Sequence, residues 1–202
     1  MEIVWVRHAE PVRVAPGRGV PADPELTERG LEQAQRLADW LKFEAIDAVL
    51  SSPKQRAIQT AQPIACAHGL PIEIVEGIVE YDVQADHYIP MEELRATNDP
   101  RLQAMIEGRW ESFGGEPATE FRARIKRTVD ELVEANAGRK IVAVCHGGVV
   151  NVALALLLGI DRELWFDPHY TSVSRMVASR SGVRSLASLN ERAHLYATRE
   201  QA

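Results

Sequence analysis

Val4-Trp5-Val6-Arg7-His8-Ala9-Glu10 is an apolar run that stops abruptly at an arginine, a histidine and a carboxylate. From Glu2 to Val6 the β-branched pattern reads as a buried strand. A buried strand that ends in charge either delivers side chains to a site or simply reaches the surface. The Arg7-His8 pair alone does not choose between these. Far down the chain the pattern returns: Ile141-Val142-Ala143-Val144-Cys145 runs into His146-Gly147-Gly148. Around these two strand ends the chain alternates strands and helices. The expected fold is α/β, a three-layer sandwich with a mostly parallel central sheet, helices on both faces and an inserted helical cap.

After a loop from Pro11 to Pro24, Thr27 reads as the N-cap of a helix, with Leu26 and Leu31 as a hydrophobic staple across it. Leu31, Ala34, Leu37, Ala38 and Leu41 recur at helical spacing and predict one buried face. Gly30 costs this helix stability and points to tight packing. Asp47 to Ser51 is a second strand, and it runs into Ser52-Pro53-Lys54-Gln55-Arg56. Ser52 and Gln55 read as a capping box, with Pro53 at the first position of a helix from Pro53 to His68. Arg56 then falls in the first turn, where an anion meets both the guanidinium and the helix terminus.

Pro71 to Val75 is a third strand. Residues 76 to 115 lose clear periodicity and read as an insert covering one end of the sheet, with one helical piece around Met91 to Ala96 and another around Pro100 to Ile106. Ala118 to Ala137 is an amphipathic helix with Gly138 as its C-cap. Val149 to Leu158 is apolar nearly all round, a buried helix ended by Gly159. Ser172–Ser179 and Arg184–Leu189 close the chain as a hairpin. The tail from Arg192 to Ala202 is polar and expected to fray. The whole of 1–202 is expected to be one domain, with its cap insert at approximately 76–115.

Composition sets limits. Hydrophobic residues make up 46% and charged residues 26%, which argues against disorder. A net charge of -6 leaves no general basic field, so neither nucleic acid nor an anionic membrane is an expected partner. Any anion must be met by a local cluster of cations. Ile141 to Ile160 is about long enough to span a bilayer. His146, Gly147, Gly148 and Asn151 near its middle make a strand, a turn and a buried helix the better reading. Cys66 and Cys145 form no C-x-x-C pair, and reduced thiols in a cytoplasmic protein are expected. No basic leader precedes an apolar stretch at the start, so no export signal is expected.

In a parallel sheet, ligands sit at the carboxyl ends of strands. Arg7-His8, Arg56 and His146 all fall there. Guanidinium forks match phosphate oxygens in pairs. An uncharged imidazole can attack phosphorus and hold the phosphoryl group. The transition state needs positive charge on its equatorial oxygens, and an alkoxide leaving group needs an acid. Arg7, Arg56 and a protonated His146 supply the first, and a carboxylic acid in the insert supplies the second. The histidines lack metal-ligand spacing, so no metal and no cofactor is expected.

These residues sit in motifs. Arg7-His8-Ala9-Glu10 is similar to R-H-G-E. Leu26-Thr27 with Gly30, Gln33 and Ala34 resembles L-T-x-x-G-x-x-Q-A. Ser51-Ser52-Pro53 with Arg56, Ala57, Gln59, Thr60 and Ala61 resembles S-S-P-x-x-R-A-x-Q-T-A, and His146-Gly147 matches a later H-G. In this order, over nearly the whole chain, they resemble the histidine phosphatase superfamily, the phosphoglycerate-mutase-like proteins. The resemblance implies His8 as the phosphoryl-accepting nucleophile. It also implies Arg7, Arg56, His8 and His146 as the phosphate pocket and Glu80 as proton donor and later base, with Glu76 and Asp82 as nearby rivals.

The chain departs from the pattern at several points. Ala9 replaces a glycine, as in the shorter protein phosphohistidine phosphatases. Pro11 and Val14 stand where many members have a hydroxyl and an asparagine. Tyr81-Asp82-Val83-Gln84 replaces G-x-W-x-G after Glu80. The substrate side is therefore not carried over. His87 is left open between substrate contact and packing. Arg95, Arg101 and Arg109 either greet an acidic substrate or are solvated. His169 and His194 read as surface or core-edge groups.

The resulting expectation is a metal-independent phosphomonoesterase of the histidine acid phosphatase type, working through phospho-His8 on a small phosphorylated metabolite. A phosphoglycerate mutase-type transferase, a protein phosphohistidine phosphatase and a non-catalytic phospholigand-binding module are the alternatives. The short polar tail favours hydrolysis over mutase chemistry. A homodimer is an alternative to a monomer that the sequence leaves open.

Overall fold

The computed structural model describes residues 1–17 and 19–196, the side chain of Phe113 apart. Six strands form one sheet: β1 (Glu2–Arg7), β2 (Ala48–Ser51), β3 (Ile72–Ile74), β4 (Lys140–Cys145), β5 (Val173–Ala178) and β6 (Arg184–Glu191). Their order is β3-β2-β4-β1-β5-β6. The first four run parallel, β5 is antiparallel to β1, and β6 is antiparallel to β5. The fold is α/β with a mixed, mostly parallel sheet. Central β4 sets Cys145 beside Arg7 of β1 and Val144 beside Ser51 of β2. The next residues, His146, His8 and Ser52, therefore leave the sheet at one edge.

Period-two alternation in β1 splits the core into two layers. Ile3 and Trp5 face one side, with Ile141, Ala143 and Cys145. Val4 and Val6 face the other, with Val142 and Val144. The second side is covered by α1 (Glu28–Leu41) and α2 (Gln55–His68). The first is covered by α5 (Ala118–Ala135) and α6 (Gly147–Leu158). Residues 76–115 carry α3 (Met91–Ala96) and α4 (Pro100–Ile106), and their Ile78, Tyr81 and Trp110 join the core under α5 and α6. No helix among the described residues is long and apolar enough to cross a membrane.

Several local expectations need correction. Thr27 does cap α1, its hydroxyl accepting from Gly30 N–H at 2.9 Å. Leu31, however, is 51% exposed and forms no staple. The buried stripe is Gly30, Gln33, Ala34, Leu37, Ala38 and Leu41, which turns Leu31 outward. Helix α2 begins at Gln55, not Pro53, and has no capping box. The Ser52 hydroxyl is taken by His146 at 2.7 Å, and Asp23 Oδ1 instead accepts from Gln55 N–H at 2.9 Å. Asn136, not Gly138, is the C-cap of α5; Gly138 follows at φ +81° in the turn to β4. The tail is docked at least through Leu195, whose carbonyl accepts from Arg36. Its α7 (Ala193–Tyr196) buries His194, which stacks on Trp40 at 5.3 Å. Residues 197–202 lie outside the described part.

Gly30 has a contact reason. A Cβ there would sit inside the van der Waals envelope of the Glu10 carbonyl oxygen. Alanine is the better helix former by about 1 kcal/mol. Overpacking against backbone works the other way, typically by about 1–3 kcal/mol. Gly30→Ala should therefore lower the unfolding free energy in urea by about 1–3 kcal/mol. An unchanged or raised midpoint would mean that α1 slides off Glu10 freely.

Candidate active site

Each residue that follows β1 is held by the backbone or by a motif side chain. His8 N–H donates to the Cys145 carbonyl at 2.9 Å, and Ala9 N–H donates to Thr60 Oγ1 at 2.9 Å. Glu10 N–H donates to Gln33 Oε1 at 3.0 Å, and its carbonyl accepts from Thr27 N–H at 2.9 Å. Gln59 Oε1 accepts from Leu26 N–H at 2.7 Å. Gln33, Gln59, Thr27, Gly30 and Thr60 thus clamp the strand end between α1 and α2. Ala9 is fully buried against Leu26 and Ala34, so its methyl is used in packing.

That clamp presents His8 in one state. Its Nδ1 lies 2.7 Å from the Ala9 carbonyl, an acceptor, so Nδ1 donates and carries the proton. Nε2 then holds the lone pair, and no described group bonds it. Burial lowers the His8 pKa well below the ordinary value, with further lowering from Arg56 and Arg7, so the ring is neutral at physiological pH. The His146 ring lies 5.2 Å from it, centroid to centroid. Burial, then Arg56 and His8, depress the His146 pKa in the same way. The expected positive charge on His146 is therefore absent from the unliganded site. Ser52 Oγ accepts weakly from Lys54 N–H at 3.4 Å, so its own proton is free for His146 Nε2 at 2.7 Å. His146 Nδ1 then carries a hydrogen, and it is buried with no partner.

The cations are Arg7 and Arg56, 6% and 1% exposed. Arg7 donates through Nη1 to the Pro168 carbonyl at 2.6 Å and to Glu92 at 3.3 Å, and it stacks on Tyr170 at 4.0 Å. Burial works against its charge, but Tyr170, Tyr88, Glu92 and Asp167 outweigh it and hold its pKa above the ordinary value. Arg56 lies 4.9 Å over the Tyr88 ring, with Asp82 at 3.7 Å. Both guanidiniums leave Nε buried and unbonded. Buried donors normally find partners. Arg7 Nε, Arg56 Nε and His146 Nδ1 are three such donors, on residues that neighbour His8.

Glu80 is 8% exposed and reaches the same cavity. Its carboxyl accepts from Gly148 N–H at 2.9 Å and Tyr81 N–H at 3.3 Å. Burial, then repulsion from Asp82, raise its pKa to about 7 against those two bonds and Arg56. Gly148 is needed here, because a Cβ would lie 2.9 Å from Tyr81 Cδ1 and against the carboxylate. Tyr81 is itself wedged on Trp110, rings 4.3 Å apart. Glu76 heads a short 3-10 turn outside the cavity lining, and Asp82 serves Arg56.

Sequence reasoning missed Tyr88 and Tyr170, which underlie the two arginines, and the role of Ser52. Val14 pairs with Tyr88 in both backbone directions, at 2.9 and 3.0 Å. The departure at Val14 therefore brings an aromatic ring to the site where a polar group was expected. Nothing local marks either tyrosine. Among the described residues no cluster of His, Cys, Asp or Glu could hold a metal ion.

Fold and site together define an α/β protein whose parallel strand ends gather a neutral, oriented histidine, a second histidine and two buried guanidiniums. The model of the histidine phosphatase superfamily (branch 1) matches residues 3–191, and the chain belongs to that superfamily. It is similar to phosphoserine phosphatase 1 of Hydrogenobacter thermophilus, 31% identical over 80% of this chain and 78% of the relative. A probable phosphoglycerate mutase GpmB of Yersinia pestis is 29% identical over 79% and 76%. Among solved structures, the phosphoserine phosphatase of Entamoeba histolytica in complex with phosphoserine superposes with a TM-score of 0.75. It covers 96% of this chain and 98% of its own at 24% identity, a likeness of fold.

Buried charge with unsatisfied donors destabilises the empty protein and is relieved by an anion. Inorganic phosphate should therefore raise the melting temperature. Arg56→Met should abolish that rise without lowering the melting temperature of the phosphate-free protein. A thermal-shift titration in which the variant still responds to phosphate would remove Arg56 from the pocket.

Proposed function

We propose that this protein is a metal-independent phosphomonoesterase that hydrolyses a small phosphorylated metabolite through a phosphohistidine on His8. One observation carries the reading. A neutral imidazole with its Nδ1 proton tied down and its Nε2 free faces buried cationic donors that lack partners, and a carboxyl of pKa about 7 lines the same cavity.

The chemistry follows from the protonation states. Arg7, Arg56 and the His146 Nδ1–H bind the phosphate oxygens and spread the equatorial charge. The Nε2 lone pair of His8 forms a bond to phosphorus as the ester P–O bond breaks. Glu80, protonated at that moment, gives its proton to the leaving alkoxide. As a carboxylate it then takes a proton from water, whose oxygen bonds phosphorus while the N–P bond breaks. Phosphate leaves and both groups are restored.

The mutase reading rests on the likeness to a probable phosphoglycerate mutase. Such a substrate brings a second anionic group. Here Arg95 is paired with Asp167, and Arg101 is held by Asp99 at 2.6 Å, so these cations are already engaged. That supports hydrolysis. The free thiols of exposed Cys66 and buried Cys145 fit the cytosol as its compartment.

In EDTA, p-nitrophenyl phosphate should be turned over, and His8→Ala should reduce turnover to background and abolish the acid-labile phosphoenzyme. Persistent phosphoenzyme in that variant would sink the mechanism. The Glu80 acid is lost as pH rises through about 7. For alkyl phosphates kcat/KM should therefore fall about tenfold per pH unit above that point. Glu80→Gln should remove this alkaline limb and cost about 10²–10⁴-fold on alkyl esters, but far less on aryl esters. Equal losses on both ester types would take the acid role from Glu80.

A further inference from the structure

We infer that the leaving group is an apolar alcohol, aliphatic or aromatic, rather than a polar or carboxylated one; this rests on the phosphomonoesterase reading. The cavity that holds His8 has a volume of about 340 Å³. A phosphoryl group fills only a small part of it. Leu94, Leu102, Met105 and Ile106 from α3 and α4, with Trp165 and Phe166 from the loop after α6, line the remainder.

The polar groups on that side are engaged with one another. Arg95 is paired with Asp167, and Arg101 is held by Asp99 through two nitrogens, at 2.8 and 2.6 Å. His87 Nδ1 lies 3.1 Å from Asp86. Asn151 looks like a polar reader, but its amide donates to the Gly147 carbonyl and its oxygen accepts from Trp165 and Phe166 N–H at 2.9 and 3.1 Å. It builds the aromatic wall and leaves little for a ligand. Arg162, exposed at the rim, is the one outer arginine of the lining with no acidic partner among the described residues. Asp82 Oδ1, buried without a hydrogen-bond partner, stands 3.7 Å from Arg56 and so belongs to the phosphoryl end. A carboxylate farther out would be desolvated against Leu, Met and aromatic carbon with no buried cation to receive it. An apolar group gains from the same wall.

The test uses esters with matched leaving-group chemistry. 2-Phenylethyl phosphate and ethyl phosphate both release a primary alkoxide, so their ratio reads the wall and not the bond broken. The kcat/KM ratio should be at least tenfold in favour of 2-phenylethyl phosphate, and O-phosphoserine and 3-phosphoglycerate should fall below it. Leu102→Asn and Ile106→Asn should each bring the ratio at least threefold nearer to one. Ile106 is 40% exposed, so its variant keeps the fold, as an unchanged melting temperature would verify. Equal kcat/KM for the two alkyl esters, preference for either polar substrate, or an unchanged ratio in both variants would overturn the inference while leaving the phosphatase reading intact. No hydrolysis of any of the four, with no phosphoenzyme, would overturn both.

Discussion

Two guanidiniums buried beside two imidazoles make a repulsive cluster, and the structure is organised to hold it. A guanidinium keeps its charge at any ordinary pH, so the cluster cannot relax by losing protons from arginine. It relaxes on the rings: both histidines are held neutral, first by burial and then by the neighbouring cations. What remains is kept in place by uncharged supports. Tyrosine faces lie under both arginines, the Pro168 carbonyl accepts from Arg7, and backbone bonds fix residues 8 to 10. Carboxylates take a minor part. Glu92 is half exposed, and Asp82 stands 3.7 Å from Arg56. Strong internal ion pairs would have satisfied the cations and left nothing for a ligand.

Burial has opposite consequences for the acid and the base in one cavity. It disfavours charge, so the histidine pKa values fall while that of Glu80 rises to about 7. Near neutrality a lone pair and a transferable proton therefore coexist, which neither group in water would provide together. The effects on folding also oppose each other. Glu80 binds its proton more tightly folded than unfolded, so its contribution to stability declines between the ordinary carboxyl pKa and about 7. The histidines bind theirs less tightly folded, so their contribution grows as pH rises to about 6.5 and is level beyond.

The sheet and its strand ends were legible because a short, continuous, β-branched run has to be buried, and a parallel strand buries it on both faces. The two short helices of the insert were legible as pieces around 91–96 and 100–106, and Asp99 caps the second by accepting from Arg101 N–H. Ser52 shows where local reading fails. A serine three residues before a glutamine satisfies a helix cap in isolation, but an imidazole 94 residues away outcompetes that cap. Leu31 fails for a related reason. The close approach of Gly30 to Glu10, invisible in a hydrophobic pattern, sets the rotation of α1. Tyr88 arrives through pairing with Val14, and Tyr170 follows a loop, so neither carries a periodic signal. His194 is buried although the tail as a whole reads as polar, because Trp40 of a distant helix receives its ring.

The two ends of the cavity are encoded by different means. The end that carries His8 depends on backbone anchors that tolerate almost no change: a Cβ at Gly30 meets a carbonyl, and one at Gly148 meets the Glu80 carboxyl. Such constraints leave a recognisable motif. The other end is walled by side chains of two short helices, of which α4 reaches the core of Tyr81 and Trp110 through Met105. There the requirement is only apolar volume, which many residue combinations satisfy. A sequence can therefore show the histidine and arginine end clearly while the apolar end is spread over residues that, one at a time, look like ordinary core. Reading that end requires knowing which polar groups are already engaged, and Asn151, Arg95 and Arg101 reveal this only once their partners are in place.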